Sequence, residues 1–315
     1  MSIIDKFNEK LYEPAPASFI GWTRIVILSF LLWKFLSRDY SLFGSFPEEL
    51  AMAYPANVFH PLDAYVLLGF KWVVDLFTFH WIHWFVSFPS ELILHYIELF
   101  LEFMLVVTLF FGGGYKKLNY LIIYVLGMYL LGFLFRIGSD IDEIFIQMQI
   151  VLLLFLFKDK ETYILLFKQQ KPLNYSKSNG WFFSMVLLIF IGYYFLAGVT
   201  KVIDISLLDW GRFELAKLIE LNQIKLDLGD DRAWFFAREF FIGRSFLDIP
   251  GTVLVYVEHL LIPLLFFKRS YLPVAWFIYF LFHLSSLNIN LFFTGVFLSW
   301  LVFLPVDRVV KLFKK

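Results

Sequence analysis

The sequence predicts an all-α integral membrane protein with about eight transmembrane helices, and two observations lead to this fold class. Hydrophobic residues make up 60% of the 315 residues, 42 residues are phenylalanine, and the mean hydropathy is +0.72. A soluble domain of this size would expose more apolar surface than water tolerates. In addition, several stretches approach the roughly 20 apolar residues that a helix needs to cross a bilayer.

The apolar stretches divide the chain into membrane-spanning helices and two longer connections. We predict spans at residues 19–36, 92–112, 119–136, 141–157, 181–200, 251–267, 271–287 and 289–305. The first connection contains a tryptophan-rich segment, residues 72–85, that is typical of a helix lying in the membrane interface. The second, residues 201–250, mixes charges of both signs and predicts an ordered cap on the exterior side. We expect one domain over residues 1–315.

Basic residues concentrate on the side of the predicted spans where the N-terminus lies. They include Lys116 and Lys117, five lysines within residues 158–177, and the basic residues of the tail. An excess of lysine and arginine marks the cytoplasmic side of membrane proteins. We therefore predict a multi-pass protein of the cell (inner) membrane with both termini in the cytoplasm.

Composition also excludes several classes of function. The chain has no cysteine, which excludes disulfides, thiolate nucleophiles and iron–sulfur ligation. Its formal net charge of zero argues against nucleic acid as a partner. The sequence contains neither a nucleotide-binding Gly-x-x-x-x-Gly-Lys loop nor a Gly-x-Ser-x-Gly nucleophile elbow.

Lys201 lies at the exterior end of the apolar run of residues 181–200. A lysine at the centre of a membrane helix costs about 2.5–3.5 kcal/mol, so charged residues within the membrane are functional candidates. Apolar surroundings favour the neutral amine, which can act as a base. The alternative is a lysine whose long side chain reaches from the helix end into the lipid headgroups.

Three titratable residues of the second predicted span share one helix face. His95, Glu98 and Glu102 are spaced at i, i+3 and i+7. Carboxylates inside a bilayer need a partner, a proton or a water-filled cavity. We favour an ion pair with Arg24 of the first span, and a proton relay or a contact with substrate is the alternative.

The remaining histidines are also candidates. Glu258 precedes His259 in the sixth span, and His283 lies within the seventh. For such residues, a buried neutral histidine bonded to a neighbour is a commoner state than a catalytic one. His80 and His83 have the spacing of metal ligands, but no third ligand is near and the surrounding tryptophans favour an interfacial belt. We predict no metal site.

Three patches of the chain match the motifs of a known family. Residues 14–24 contain Pro-Ala-Pro-Ala-Ser followed by Trp-Thr-Arg. Residues 194–202 are Tyr-Phe-Leu-Ala-Gly-Val-Thr-Lys-Val, with Trp-Gly at 210–211, and residues 282–297 contain Phe-His, Asn-Leu-Phe and Gly-Val-Phe. On these patches the chain resembles the transmembrane portion of vitamin K-dependent γ-glutamyl carboxylases and their bacterial relatives, often called the HTTM domain. The resemblance covers roughly residues 12–305.

The resemblance implies roles for several residues. In the carboxylases, the lysine that Lys201 matches is the base that deprotonates vitamin K hydroquinone, which then reacts with oxygen and drives carboxylation of a glutamate. His283 matches a histidine of the family's late helix, and Glu258 falls where the family has an acidic residue. The implied cofactor is a reduced quinone similar to vitamin K hydroquinone. The predicted substrate-binding residues are Glu258, Trp210, Arg24, Glu98 and Glu102.

Two departures from the family bear on the chemistry. The carboxylases place an assisting histidine where this chain has Glu143. A carboxylate near Lys201 would favour its ammonium form over the neutral base. The family also continues into a long lumenal domain that binds the protein substrate, whereas this chain ends at Lys315. Carboxylation of a protein glutamate would therefore need a separate partner chain.

These features support two functional hypotheses. The first is a membrane enzyme, a carboxylase- or epoxidase-like lyase or oxidoreductase, that acts on a quinol-like or lipidic substrate at its exterior face. In this hypothesis Lys201 is the catalytic base, and His283 and Glu143 line the pocket. The second is a non-catalytic accessory subunit for maturation or handling of an exported peptide or protein, with a periplasmic partner chain. Bacterial relatives include such a subunit for a secreted peptide toxin.

Membrane lipid is an expected contact under both hypotheses. A third possibility is a transporter in which His95, Glu98 and Glu102 form a proton path. It ranks last, because the sequence shows no internal repeat and no pair of matching broken helices, which common transporter folds contain.

Overall fold

The computed structural model describes residues 2–45, 90–110, 116–136, 143–157, 175–204, 261–286 and 301–304. Most of these residues are helical, which confirms the α-helical part of the predicted fold class. The described α-helices are α1 (Ile3–Leu11), α2 (Ala17–Leu36), α3 (Glu91–Phe110), α4 (Lys116–Arg136), α5 (Glu143–Leu154), α6 (Lys177–Asp204), α7 (Leu264–Phe267) and α8 (Leu272–Ser286). Short 3₁₀ helices occupy Tyr40–Ser45, Phe155–Phe157, Arg269–Tyr271 and Leu301–Phe303.

Two of the described helices, α2 and α3, are long and apolar enough to cross a membrane. They coincide with the first two predicted spans, because a predominantly apolar stretch of about 20 residues determines both the helix and its length. Eight membrane-crossing helices are not established, since the other apolar helical segments of the described chain are shorter. These segments are Lys117–Leu131, Gln147–Phe157 and Lys177–Gly192.

Two predicted elements lie outside the described residues. They are the interfacial helix at residues 72–85 and the part of the exterior cap that follows Asp204. Most of the predicted spans at residues 251–267 and 289–305 also lie outside them.

The chain divides into two compact units. Residues 1–189 together with 305–315 form the first unit, and residues 190–304 form the second. Helix α6 contributes its first half to one unit and its second half to the other. The prediction of one domain over the whole chain stays a prediction.

Among the described residues of the first unit, four helices pack together. Helix α2 contacts α3 and α5, and α4 also contacts both α3 and α5. Aromatic rings join these helices to the first half of α6. The ring of Phe155 lies 5.1 Å from that of Tyr120 and 5.0 Å from that of Phe182, whose ring lies 6.3 Å from Phe19. Ring pairs at these separations stabilise packing beyond the burial of their apolar surface.

A two-stranded sheet, with two residues in each strand, brings the starts of α2 and α6 together. Strands β1 (Ala15–Pro16) and β2 (Tyr175–Ser176) pair antiparallel, with Ala15 opposite Ser176. Each strand leads directly into its helix. The pairing therefore aligns the first turns of two helices that are far apart in the sequence.

The end of α1 is fixed against the first turns of α6. A Cβ on Gly180 would overlap the backbone carbonyl of Glu13, so the absence of a side chain allows this close approach. One helical turn further, the Ser184 hydroxyl lies 2.8 Å from the carbonyl oxygen of Leu11 and 2.7 Å from that of Gly180. The segment before α2 is thus held by α6 as well as by the sheet.

A buried glutamine of α5 lies against a glycine of α4. Gln149 has no exposed surface, and a Cβ on Gly127 would overlap its side-chain amide. In the described part of the chain, neither amide atom of Gln149 has a hydrogen-bond partner. Gln149 therefore contacts α4 by close packing and not by a hydrogen bond.

We expect Gly127→Ala to destabilise the protein by about 1 kcal/mol, the lower end for adding a methyl group to a filled core, because the overlapping atoms end the flexible Gln149 side chain and can shift. The double variant with Gln149→Ala removes the overlapping side chain and should recover part of the loss. Thermal unfolding in detergent measures both effects. If the double variant is no more stable than Gly127→Ala alone, the amide does not occupy this position.

In the second unit, aromatic rings join α6 to α8 and to the last 3₁₀ helix. The rings of Tyr194 and Tyr279 lie 4.8 Å apart, and those of Phe190 and Phe303 lie 5.2 Å apart. Tyr194, Tyr279 and Phe190 are buried. These contacts pack the second half of α6 against α8.

Candidate functional site

A buried polar contact joins Glu98 of α3 to the segment after α2. Glu98 is buried, with 6% of its surface exposed, and its Oε1 accepts a hydrogen bond from the Tyr40 N–H at 3.1 Å. Tyr40 begins the 3₁₀ helix Tyr40–Ser45, which also approaches the start of α3. A Cβ on Gly44 of this helix would overlap the Glu91 backbone. A buried backbone N–H needs an acceptor, and here a carboxylate supplies it.

Local hydrogen bonds shape the chain that presents the Tyr40 N–H. The Ser37 hydroxyl donates to the Lys34 carbonyl at 2.9 Å, which ends α2. Asp39 Oδ1 then accepts the Ser41 N–H at 3.0 Å. An aspartate that binds the backbone two residues on is typical of turns. The turn after α2 is therefore encoded within a few residues of sequence.

The Tyr40 side chain is part of the same buried contact. Its ring lies 5.5 Å from that of Phe35, and the residue has no exposed surface. Burial raises the pKa of the Tyr40 phenol, because the phenolate would lose its hydration. The hydroxyl therefore stays protonated well into the alkaline range.

The other titratable residues of this α3 face are less enclosed. Glu102, one turn after Glu98, is half-buried, and His95 is exposed. Among the described residues, no group of three or more histidine, aspartate or glutamate side chains is placed to hold a metal ion. The carboxylates on this helix face can therefore accept protons or hydrogen bonds.

Arg24 lies in the first half of α2, whereas Glu98 contacts the segment that follows this helix. Arg24 is almost fully buried in α2, and at 1.5 Å per residue it lies about 18 Å before Leu36 along the helix axis. Tyr40, the partner of Glu98, follows the end of α2. Glu98 thus binds a backbone N–H through its Oε1, and the predicted ion pair of Arg24 with a carboxylate of this face stays a prediction.

The backbone positions of the predicted catalytic residues are as follows. Lys201 lies in the last turn of α6, His283 lies in α8, and Glu143 is the first residue of α5. The contact between Tyr194 and Tyr279 packs the helices of Lys201 and His283 together. Glu143 belongs to the other unit, so its place beside Lys201 stays a prediction. Glu258 and Trp210 lie outside the described residues.

An open apolar groove of about 550 Å³ lies between α3 and α4. Its lining side chains are Ile93, Tyr96, Ile97 and Phe100 of α3 and Leu121, Ile122, Val125 and Leu126 of α4. The surface is almost free of polar atoms, which suits a hydrocarbon chain or an apolar peptide segment.

The chain matches no protein-family model, no curated protein and no solved structure. Support for a function therefore comes from the motifs of this chain and the placement of its residues.

Two features of these sites were missed in the sequence. Tyr40 has no local pattern that marks it as the partner of a residue 58 positions away. The sequence did contain an indication of the groove. Apolar residues of α3 occupy the helix face opposite Glu98 as well as positions next to Glu98. An apolar helix that also carries carboxylates presents one face to protein and another to its surroundings.

Proposed function

We propose that the chain is a multi-pass inner-membrane enzyme of the carboxylase-like transmembrane type, with both termini in the cytoplasm. Its substrate is quinol-like or lipidic, and Lys201 is the base. The observation that supports this proposal is the contact between Tyr194 and Tyr279, whose ring centroids lie 4.8 Å apart. This contact packs together the two helices that carry Lys201 and His283.

Helical register relates both residues to the tyrosine contact. Lys201 follows Tyr194 by seven residues, and His283 follows Tyr279 by four. These spacings return to the same helix face, about 10 Å and about 6 Å further along the axis. The distribution of basic residues predicts that both helices run from the cytoplasmic to the exterior side. Under that topology, Lys201 and His283 both lie in the exterior halves of their helices.

A lysine amine is well matched to a phenol-type hydroxyl. Reference pKa values are about 10.4 for lysine and about 10 for the phenol of tyrosine. A neutral Lys201 can therefore accept the proton of such a hydroxyl without a large uphill step, and becomes an ammonium ion. His283 can donate a hydrogen bond to a substrate oxygen, or accept one, and so orient the ring.

The aromatic rings of the second unit suit an apolar aromatic ligand. Phe190, Tyr194, Tyr279 and Phe303 form ring contacts in the same unit. A reduced quinone, when bound, supplies an acidic hydroxyl and a redox-active ring. Lys201 and His283 are the residues that would hold its oxygens. Trp210 and Glu258 stay as further candidates for this site, and the predicted role of Glu143 stays a prediction.

A second candidate function is an accessory subunit that handles an exported peptide or protein. The groove of about 550 Å³ between α3 and α4 favours it, because this surface could bind an apolar peptide segment without any catalytic group. The presence of Glu143 where the carboxylases have a histidine favours it too.

Lys201→Ala is the variant that tests the enzyme hypothesis. We expect gently purified wild-type protein to retain a quinone or lipid, and the variant to retain about tenfold less. Removing a charged or strongly polar contact weakens binding by at least that factor. Mass spectrometry of organic extracts measures the bound molecule. Lys177→Ala is the matched control, since Lys177 is the exposed first residue of the same helix.

The outcome separates the two functions. Equal amounts of bound quinone or lipid in wild type and Lys201→Ala would contradict a substrate site at Lys201. A secreted peptide or partner chain that co-purifies, with no bound small molecule, would favour the accessory subunit.

A further inference from the structure

Helix α1, which precedes the first apolar helix, has its own folding signals. The Ser2 hydroxyl accepts the Asp5 N–H at 3.1 Å, and the Ser2 N–H donates to Asp5 Oδ2 at 2.8 Å. This reciprocal pair is a capping box and fixes the start of the helix at Ser2. The two hydrogen bonds lower the pKa of Asp5, first through the backbone and then through the hydroxyl. The cap is therefore complete at neutral pH.

Apolar side chains of α1 lie on one face. Ile3, Ile4, Phe7 and Leu11 follow the helical spacing, and Glu9 lies opposite their centre. Phe7 and Leu11 are half-buried, whereas Ile3 and Ile4 are 80% and 70% exposed. We call Ile3 and Ile4 the isoleucine ridge. Two large apolar side chains exposed side by side indicate a surface that is covered when the protein functions.

The position of α1 indicates what covers this ridge. Its last turn is held at the start of α6 by the Ser184 hydroxyl, 2.8 Å from the Leu11 carbonyl oxygen. Six residues after Leu11, the apolar helix α2 begins at Ala17. Helix α1 therefore lies where two apolar helices start. If α2 crosses a membrane, this level is the boundary between lipid and water.

We propose that α1 lies in the lipid headgroup region on the side of the N-terminus, with the isoleucine ridge inserted among the acyl chains. This inference depends on the membrane location in the proposed function. An amphipathic helix that combines one apolar face with a strongly polar opposite face binds in the interface plane in this way. The polar face, with Lys6 and Glu9, then points to water, while the lysine stem reaches the headgroups.

The natural absence of cysteine makes a direct test possible. Single-cysteine variants of the full chain receive a fluorescent label at position 4 (Ile4→Cys), at the opposite face (Glu9→Cys), or on α3 (Phe103→Cys). Phe103 is 60% exposed on a helix long enough to cross a membrane, so it reports membrane insertion itself. The proteins are reconstituted into vesicles of phosphatidylcholine and phosphatidylglycerol. Nitroxide-labelled lipid and aqueous iodide serve as quenchers.

We expect lipid nitroxide to quench the labels at positions 4 and 103 several-fold more than the label at position 9, and iodide to show the reverse order. Iodide quenching at position 4 equal to that at position 9, with lipid quenching at 103, would overturn the placement of α1 alone. A label at position 4 that neither quencher reaches would mean that protein covers the ridge, which also overturns it. Absence of lipid quenching at both 4 and 103 would overturn the membrane location itself.

Discussion

The Gly180→Ala variant is expected to be less stable than the wild type by about 1–3 kcal/mol, the usual effect of forcing an extra methyl group into a packed site. A Cβ at Gly180 would overlap the carbonyl of Glu13. Because this carbonyl belongs to the backbone between α1 and β1, no rotation of a side chain can relieve the overlap. Either α6 or the segment before α2 must move, and the contact of Ser184 with Leu11 would weaken as well.

Gly192→Ala is the matched control. Gly192 lies in the same helix, and a Cβ there meets no atom within 4 Å. Alanine at this position should be neutral or stabilise by up to about 1 kcal/mol, since glycine weakens helix interiors. Circular dichroism during heating of the purified proteins in detergent compares the two variants. Equal unfolding midpoints would show that α6 does not approach Glu13 this closely.

The sequence predicts a helix well where one local property, such as the length of an apolar stretch, determines the helix. Helices α2 and α3 begin and end within two residues of the spans predicted at 19–36 and 92–112. An apolar stretch of about 20 residues is visible in the sequence itself. Helix α1 has a signal of a different kind, in the spacing of its apolar residues and its Ser-x-x-Asp cap. Hydropathy does not reveal this helix, because its average composition is polar.

Contacts between distant segments were not predictable in the same way. The sequence indicated that Glu98 needs a partner, and charge alone suggested Arg24. Every residue except proline carries a backbone N–H, so nothing in the sequence singles out Tyr40 as the donor. The close approach of Gly180 to Glu13 likewise depends on the paths of two backbones. The sequence placed Lys201 at the end of the apolar run of residues 181–200. In the structure, α6 continues to Asp204 and includes Lys201 in its last turn.

Glu98→Ala is expected to destabilise the protein by about 1–3 kcal/mol, because the Tyr40 N–H would stay buried without its acceptor. Glu98→Gln should have a much smaller effect, since its amide oxygen can accept the same hydrogen bond and the side chain keeps its shape. Hydrogen exchange of the peptide that contains Tyr40 measures this contact directly. Exchange should accelerate in Glu98→Ala and stay close to wild type in Glu98→Gln.

The two Glu98 variants also separate a structural role from proton chemistry. A carboxylate that only holds the Tyr40 N–H is replaced by an amide with little loss of either stability or activity. A carboxylate that also transfers protons would leave Glu98→Gln stable but inactive, because an amide cannot ionise. Glu102→Gln is the control on the same face, half-buried and one turn away. If Glu98→Ala exchanges as slowly as wild type at Tyr40, the hydrogen bond does not hold this segment. Glu98 would then need another partner to explain its burial in an apolar helix.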